Sequence, residues 1–283
     1  MKLLIGLDSR EGGKDALELA RVLAASAGEN AASAVVVTVL YGGPLPMEYA
    51  LLPNEEAREA EPLFEQARER LPGMELATHA YGGGSPAGIL TMLAEREQFD
   101  AIVVGSPHRS AFGQVMIGSV ANSLLNGAPV DVAVAPRGYA QADHGALRSI
   151  AVGYDGTPEA KVALRHAEEM AKPCDATIGV VTVIKPPVPA PVMVPVTYTP
   201  QFPSDPERVV NEGVDSIDPR LAASRTLLEG DPATKLAKAC EDDADLLVIG
   251  SRGYGPMARV LLGSVSRHVV QKAPCPVLVA RRP

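Results

Sequence analysis

The sequence predicts an α/β protein built from two tandem copies of a Rossmann-like, open five-stranded parallel sheet with helices on both faces. Short apolar segments alternate with helical patterns along the chain, which is typical of βαβ units and parallel sheets. The second half also repeats the first: IVVG at 102–105 matches LVIG at 247–250, and VMIGSV at 115–120 matches VLLGSV at 260–265. The constant offset of 145 positions indicates two copies of one unit.

Each copy is predicted to contain five strands and four helices. In the first copy, strands are expected at 2–7, 33–40, 74–80, 100–105 and 130–135, and helices at 13–26, 54–71, 86–97 and 119–127. In the second copy, strands are expected at 148–154, 176–184, 221–228, 244–250 and 276–280, and helices at 158–171, 207–214, 232–241 and 264–272. Continuous apolar runs such as 246–249 are typical of strands buried on both faces. Ser85-Pro86 and Asp231-Pro232 are matching helix starts, because each places a capping side chain before a proline.

The repeat also predicts the domain organisation. We expect one domain at 1–137 and a second at 148–283, joined by a linker at about 138–147 that has little apolar content. Residues 185–206 break the symmetry because they contain eight prolines, which disfavour both a helix and a central strand. We interpret this stretch as a long surface excursion; a lid or an oligomer contact is the alternative.

Composition excludes several classes of protein. The net charge of -8 disfavours a nucleic-acid partner, which needs a basic face for phosphates. Three separated cysteines with no Cys/His cluster predict neither a disulfide scaffold nor a zinc site. The apolar segment at the N-terminus is interrupted by the charged residue Asp8, which is too early for the core of a signal peptide. No apolar run approaches the roughly 20 residues that cross a bilayer. We therefore expect a soluble cytoplasmic protein without a membrane partner.

A glycine pattern follows the fourth strand of the second copy. Gly250 ends the strand, Gly253 lies in the loop, and Gly263-Ser264 opens the next helix. Glycines let a ligand approach bare backbone, and a helix start supplies unpaired N–H groups with a partial positive charge. The pattern predicts a phosphate cradle at the carboxyl end of a parallel sheet. The alternative is that these glycines serve only as turn and cap residues.

The sequence also contains a weaker match to another nucleotide-binding motif and lacks two catalytic ones. Residues 82–87 (GGGSPA) fit the dinucleotide fingerprint G-x-G-x-x-A, but they follow the third strand and lack an acidic partner about 20 residues on. We interpret them as a capped tight turn. The sequence contains no P-loop and no G-x-S-x-G elbow, so neither a P-loop ATPase nor a triad hydrolase is predicted.

The spacing Gly-x2-Gly-x9-Gly-Ser, with an Asp at the end of the first strand, resembles the universal stress protein family over essentially the whole chain. In ATP-binding members of that family the Asp and a second-strand Val hold adenine, the first glycine lies by the ribose, and the later glycines and serine hold phosphates. The residues that the resemblance assigns to ATP in the second half are Asp155, Val183, Gly250, Arg252, Gly253, Gly263, Ser264 and Val265. Those that it assigns in the first half are Asp8, Val39, Gly105, His108, Gly118, Ser119 and Val120.

Two of these positions have alternative interpretations. His108 stands where the motif has a glycine. One interpretation is that its Cβ obstructs the loop; the other is that its imidazole, next to Arg109 in the sequence, binds a phosphate. Arg252 either adds charge to a triphosphate or is an exposed, solvated side chain. The segment Asp155-Gly156-Thr157-Pro158 is also compatible with a plain turn and helix cap. A role of the Asp155 carboxylate as a ligand of adenine or ribose rests on the resemblance alone.

The resemblance implies a stress-response or regulatory protein that holds ATP, alone or with Mg²⁺. A slow metal-dependent ATPase and a nucleotide-free interaction scaffold are the alternatives. We assign no catalytic residue and no protein metal ligand, because no residue near the motif is an evident general base. The two copies are expected to pair through their fifth strands as a pseudo-dimer, and the chain is expected to form a homodimer.

Overall fold

The computed structural model describes residues 1–28, 32–41, 50–51, 56–106, 118–185, 205–241, 244–251 and 263–281. The strands in this part of the chain are β1 (Lys2–Gly6), β2 (Ser33–Tyr41), β3 (Ala50–Leu51), β4 (Glu75–Gly82), β5 (Ala101–Gly105), β6 (Asp131–Ala135), β7 (Ser149–Gly153), β8 (Thr177–Ile184), β9 (Ala223–Glu229), β10 (Leu246–Gly250) and β11 (Val277–Ala280). The helices are α1 (Glu11–Ser26), α2 (Glu61–Arg70), α3 (Pro86–Arg96), α4 (Ser119–Leu124), α5 (Pro158–Ala171), α6 (Pro206–Asp215), α7 (Pro232–Ala239) and α8 (Ser264–Lys272).

The predicted fold class is confirmed, with strands and helices alternating as expected. All ten predicted strands are present, and their ends differ from the predicted ones by at most two residues. The helix expected at 54–71 begins as a 3-10 turn, Glu56–Ala60, before α2. β3 was not predicted: it is a two-residue strand that pairs antiparallel with the end of β4, and so short a strand has no readable periodicity.

The strands of both halves form one sheet. In the described residues the order is β3-β4-β2-β1-β5-β6-β11-β10-β7-β8-β9. Within each half the five main strands are parallel, whereas β6 and β11 pair antiparallel, with Val132 opposite Val279 and Val134 opposite Val277. We call this pairing the seam. It is the expected fifth-strand pairing, and it places the carboxyl ends of the two parallel sets on opposite edges of the sheet.

Helices cover both faces, and each face has its own apolar cluster that runs through both halves. One cluster contains buried side chains of α1, α2, α5 and α6, among them Leu19, Phe64 and Val209. The other contains side chains of α3, α4, α7 and α8, among them Ile89, Leu236 and Val269. A sheet buried on both faces explains why its central strands read as continuous apolar runs.

The capping signals in the sequence are realised. Ser85 Oγ accepts a hydrogen bond from Gly88 N at 3.0 Å, and Asp231 Oδ2 accepts one from Thr234 N at 3.0 Å. Before Ser85, two glycines have positive φ, 77° at Gly83 and 69° at Gly84. The GGGSPA segment is therefore a tight turn ending in a helix cap, in agreement with our interpretation.

The segment expected as a linker is held against α1. Asp15 accepts hydrogen bonds from the backbone N–H groups of Gly138 and Ala140, both at 2.9 Å. Tyr139 and Leu147 are buried, and the Leu147 N–H donates to Ser26 Oγ at 2.8 Å. Two buried side chains thus anchor a segment that has little apolar content overall. The Pro-rich stretch lies mostly in 186–204, outside the described residues.

None of the helices in the described ranges is both long and apolar enough to span a bilayer.

Candidate functional site

The carboxyl edge of the second half brings together the ends of three neighbouring strands. β10 lies beside β7, and β7 lies beside β8, all parallel. Ligands of open α/β sheets bind at this edge. Of the eight residues assigned in this half, six lie in the described part of the chain, and all six belong to this edge. The other two, Arg252 and Gly253, lie outside the described residues.

Asp155 is the second residue after β7, where the chain turns into α5. The Tyr154 N–H donates to the Val181 carbonyl at 2.9 Å, and Thr182 Oγ1 donates to the Tyr154 carbonyl at 2.7 Å, so this turn is tied to the end of β8. Asp155 Oδ1 accepts hydrogen bonds from the backbone N–H and the hydroxyl of Thr157. The side chain of Asp155 is exposed. The carboxylate therefore shapes the turn and also faces solvent at the expected edge.

Thr157 caps α5, since its Oγ1 accepts from Ala160 N at 3.2 Å. Gly156 between them has a φ of 78°, which a side chain would strain. The turn-and-cap interpretation of this segment is thus realised in the structure. It is compatible with a ligand role for Asp155, because only Oδ1 is used in these bonds.

Gly250 has a packing reason to be glycine. A Cβ placed on it would stand 2.6 Å from the carbonyl oxygen of Glu159 in the first turn of α5. That distance is too short for any side chain, and the obstacle is backbone. The close approach of α5 to the end of β10 is therefore enough by itself to require a glycine, whatever ligand binds nearby.

Gly263 is the residue before α8, with extended backbone (φ -68°, ψ 162°) and a carbonyl that accepts from Arg267 N at 3.0 Å. Ser264 and Val265 are the first two residues of the helix, and their N–H groups have no partner within it. Ser266 Oγ donates to the Gly250 carbonyl at 3.4 Å. This bond joins the first turn of α8 to the end of β10, so the N-terminus of the helix lies at the carboxyl edge of the sheet.

Two serines at this edge were missed by sequence reasoning. Ser251 follows Gly250, is 1% exposed, and its hydroxyl has no hydrogen-bond partner among the described residues. Ser266 is buried in the first turn of α8. The signal that could have found them is their position: one directly follows a strand that ends at the edge, and the other lies within the first helical turn.

Two valines contribute apolar surface near the same edge. Val183, the next-to-last residue of β8, and Val265 are partly buried side chains that pack against one apolar cluster. Val39 and Val120 have the same status in the first half. All four assigned valines therefore pack against the apolar cluster on the same face of the sheet.

The first half repeats this arrangement on the opposite edge. Asp8 follows β1, its Oδ1 accepts from Arg10 N at 3.1 Å, and the Leu7 N–H donates to the Val37 carbonyl at 2.8 Å. Gly105 ends β5, and Gly118 precedes Ser119 and Val120 of α4. His108 lies outside the described residues.

The halves differ in the helix that follows the glycine loop. α4 has six residues, whereas α8 has nine. The residue equivalent to Ser266 is Ala121, which has no hydroxyl to reach the end of β5. The helix that follows the loop is therefore longer in the second half, and its first turn has a side-chain hydrogen bond to the preceding strand that Ala121 cannot make.

Within the described ranges, no group of three or more His, Cys, Asp or Glu side chains is placed to hold a metal ion.

Comparisons with known proteins identify relatives over both halves. The sequence model described as "Universal stress protein family" matches residues 1–136 and again 146–281. A universal stress protein of Mycobacterium tuberculosis is 30% identical over 233 residues, which cover 79% of this chain and 77% of that protein. A universal stress protein of Mycolicibacterium smegmatis is 31% identical over 201 residues, covering 68% of this chain and 65% of that protein.

Solved structures agree with the fold. A crystal structure of a universal stress protein from Archaeoglobus fulgidus has a TM-score of 0.70 at 21% identity, covering 99% of this chain and 96% of that one. A putative universal stress protein from Pseudomonas aeruginosa has a TM-score of 0.63 at 15% identity, covering 99% and 92%. At such identities the likeness concerns the fold alone.

Proposed function

The chain belongs to the universal stress protein family, and from this premise we propose that it is a regulatory, stress-response protein that binds an adenine nucleotide, ATP, at the carboxyl edge of its second half. The observation that carries the proposal is the start of α8, fastened to the end of β10 by the bond from Ser266 Oγ to the Gly250 carbonyl. It brings N–H groups that the helix itself leaves unpaired beside the strand ends, where α/β proteins bind phosphates.

Phosphates are recognised here by backbone. The N–H groups of Ser264 and Val265 and the hydroxyl of Ser264 supply donors, and the helix end supplies a partial positive charge. This suits a chain with a net charge of -8, which does not need a basic surface to hold an anion locally. Arg252 and Gly253 complete the motif in sequence, and we propose that both take part in binding the phosphates.

The buried hydroxyl of Ser251 supports a polar ligand at this edge. Among the described residues this hydroxyl has no partner, and an unpaired buried hydroxyl costs about 1–3 kcal/mol, so we infer that a group beyond those residues satisfies it. Ser251 lies between Gly250 and the glycine loop, next to the position assigned to the ribose and phosphates. A nucleotide oxygen or an ordered water is the partner that we propose.

The base and sugar would lie over the strand ends. The exposed carboxylate of Asp155 can accept hydrogen bonds from adenine or ribose, and the partly buried side chain of Val183 gives the base an apolar surface. In the first half, Asp8, Val39, Gly105, Gly118, Ser119 and Val120 form the equivalent set, with His108 in place of the second glycine. We propose a second, weaker nucleotide site there.

Isothermal titration calorimetry of the full chain tests the proposal. ATP, ADP and GTP are titrated into nucleotide-free protein, with and without Mg²⁺. We expect adenine nucleotides to bind with one to two sites per chain and GTP to bind more weakly. Absence of heat for ATP under both conditions, at concentrations up to millimolar, would refute nucleotide binding and favour the interaction scaffold.

Chromatography of the same ATP mixture over several hours separates a binding protein from a slow ATPase, because only the latter accumulates ADP. Two further properties stay predictions. Sedimentation velocity measures whether two chains form a homodimer, and cell fractionation measures whether the protein is cytoplasmic.

A further inference from the structure

A buried carboxylate joins the two halves of the chain at one end of the seam. Asp131, the first residue of β6, belongs to the first half and is 8% exposed. Its Oδ2 lies 2.6 Å from Nδ1 of His166, in the middle of α5. Its Oδ1 accepts a hydrogen bond at 2.8 Å from the backbone N–H of Arg281, directly after β11. Both partners belong to the second half.

The contact with His166 depends on a proton. With the imidazole protonated, Nδ1–H donates to a carboxylate of opposite charge in a partly desolvated place, which makes a strong hydrogen bond. With the imidazole neutral, the Coulomb attraction is lost while Asp131 stays buried. The strength of this link between the halves is therefore set by the charge on one side chain.

The charges around His166 come from both halves. The hydrogen bond to Asp131 raises the pKa of His166 above its ordinary value, burial lowers it, and the charges of Asp131 and Glu169 raise it further against the opposing charge of Arg165. Arg165 and Glu169 are on the same helix, and Arg281 adds its backbone N–H to the same carboxylate. The net result is a pKa of His166 above its ordinary value, so the imidazole stays protonated to a higher pH than an unperturbed histidine.

We propose that His166 and Asp131 form a proton-controlled clasp between the two halves, closed when His166 is protonated and weakened when it loses its proton. A histidine with a raised folded-state pKa stabilises the folded protein fully below its unfolded value, near 6.5, and this contribution is lost as the pH rises through the folded value. The clasp therefore loosens as the pH rises above the ordinary titration range of histidine. It acts on α5, the helix whose first turn lies against Gly250.

Hydrogen exchange along the seam tests the clasp without any nucleotide. Protection of the amides of 132–134 and 277–279, corrected for intrinsic exchange, is followed from pH 6 to 9 in the full chain. We expect protection to fall several-fold, with a midpoint above the ordinary range of histidine. His166→Gln keeps a hydrogen-bond donor but cannot be charged, so its profile should be flat. His79→Gln, on β4 and away from the seam, is the matched control and should keep the profile of the parent protein.

An independent measurement covers the case in which His166→Gln does not fold. The imidazole nitrogens of ¹⁵N-histidine-labelled parent protein are titrated by NMR, and His166 is assigned from its position near Asp131. A titration above the ordinary histidine range, coincident with the loss of protection, is the expected result. A titration at or below that range, or a flat exchange profile in the parent protein, would overturn the clasp. Either result leaves the proposal of nucleotide binding untouched.

Discussion

Gly105, the last residue of β5, lies against the backbone of Gly12 in the first turn of α1, so closely that a Cβ on Gly105 would stand 1.9 Å from the Gly12 carbonyl oxygen. Gly250 and Glu159 repeat this relationship in the second half, where the corresponding distance is 2.6 Å. The glycine that ends the fourth main strand thus lets the first helix of each half begin close to the sheet. The motif therefore has a structural component that is independent of any ligand.

Gly105→Ala is expected to destabilise the protein by about 2–3 kcal/mol, because backbone atoms must move to make room for a methyl group. Gly250→Ala should cost somewhat less, since its clash is less severe. Urea unfolding of nucleotide-free protein measures both. Gly145→Ala is the control: a Cβ there meets nothing within 4 Å, so its effect should stay within about 0.5 kcal/mol. Equal stabilities for all three variants would contradict the close approach of helix and strand.

Glu18 on α1 is a buried carboxylate paired with two arginines. It is 2% exposed, and it contacts Arg21 at 2.6 Å and Arg70 at 3.1 Å. Burial raises the pKa of Glu18, but the hydrogen bonds and charges of the two arginines outweigh this, so the pKa lies below its ordinary value of 4.5. Its stabilising contribution is present above that value and is lost as the pH falls.

Glu18→Gln should therefore lower the free energy of unfolding by about 2 kcal/mol at pH 7 and by less at pH 3 to 4. Urea unfolding across this pH range is the measurement. Glu97→Gln removes an exposed pair with Lys2, whose side chains are 39% and 50% exposed, and should change stability by no more than about 0.5 kcal/mol. A Glu18→Gln effect as small as that of Glu97→Gln would show that the buried pair gives no net stabilisation.

Local rules recovered most of the fold. Ser85-Pro86 marked a helix start because capping depends on neighbouring residues, and continuous apolar runs marked strands covered on both faces. β3 was missed because two residues, Ala50 and Leu51, carry no periodicity. The burial of Tyr139 was missed because it depends on where α1 lies and not on the composition of the segment itself.

The positions of Gly250 at the end of a strand and of Gly263 before a helix were predictable from the repeated pattern. The burial of Ser251 could not be predicted, because it depends on tertiary packing. The pair of His166 and Asp131 could not be found from spacing, because the two residues are 35 positions apart and belong to different halves. Interactions across the seam are set by how β6 meets β11, which no local pattern encodes.

Gly263→Val should abolish nucleotide binding in the second half, because a branched side chain at the residue before α8 would occupy the phosphate cradle. Calorimetry with ATP should then detect only the first-half site. Gly118→Val is the matched variant and should leave the second-half affinity unchanged. Because valine is also a poor residue for a helix start, at a cost of about 1 kcal/mol, the stability of both variants is measured in parallel. Unchanged ATP affinity in Gly263→Val would mean that the phosphates bind elsewhere.

The two halves differ at the second glycine of the motif, where the first half has His108 and the second has Gly253. If the loop needs left-handed backbone or an open approach there, a Cβ costs about 1 kcal/mol or more. We therefore expect His108→Gly to strengthen ATP binding by the first half, measured by calorimetry in a Gly263→Val background so that only this site responds. Gly253→His, made in a Gly118→Val background that blocks the first half, should weaken ATP binding by the second half, because it introduces a Cβ at the equivalent position. Weaker binding after His108→Gly would contradict obstruction and assign the imidazole to the phosphates as a ligand.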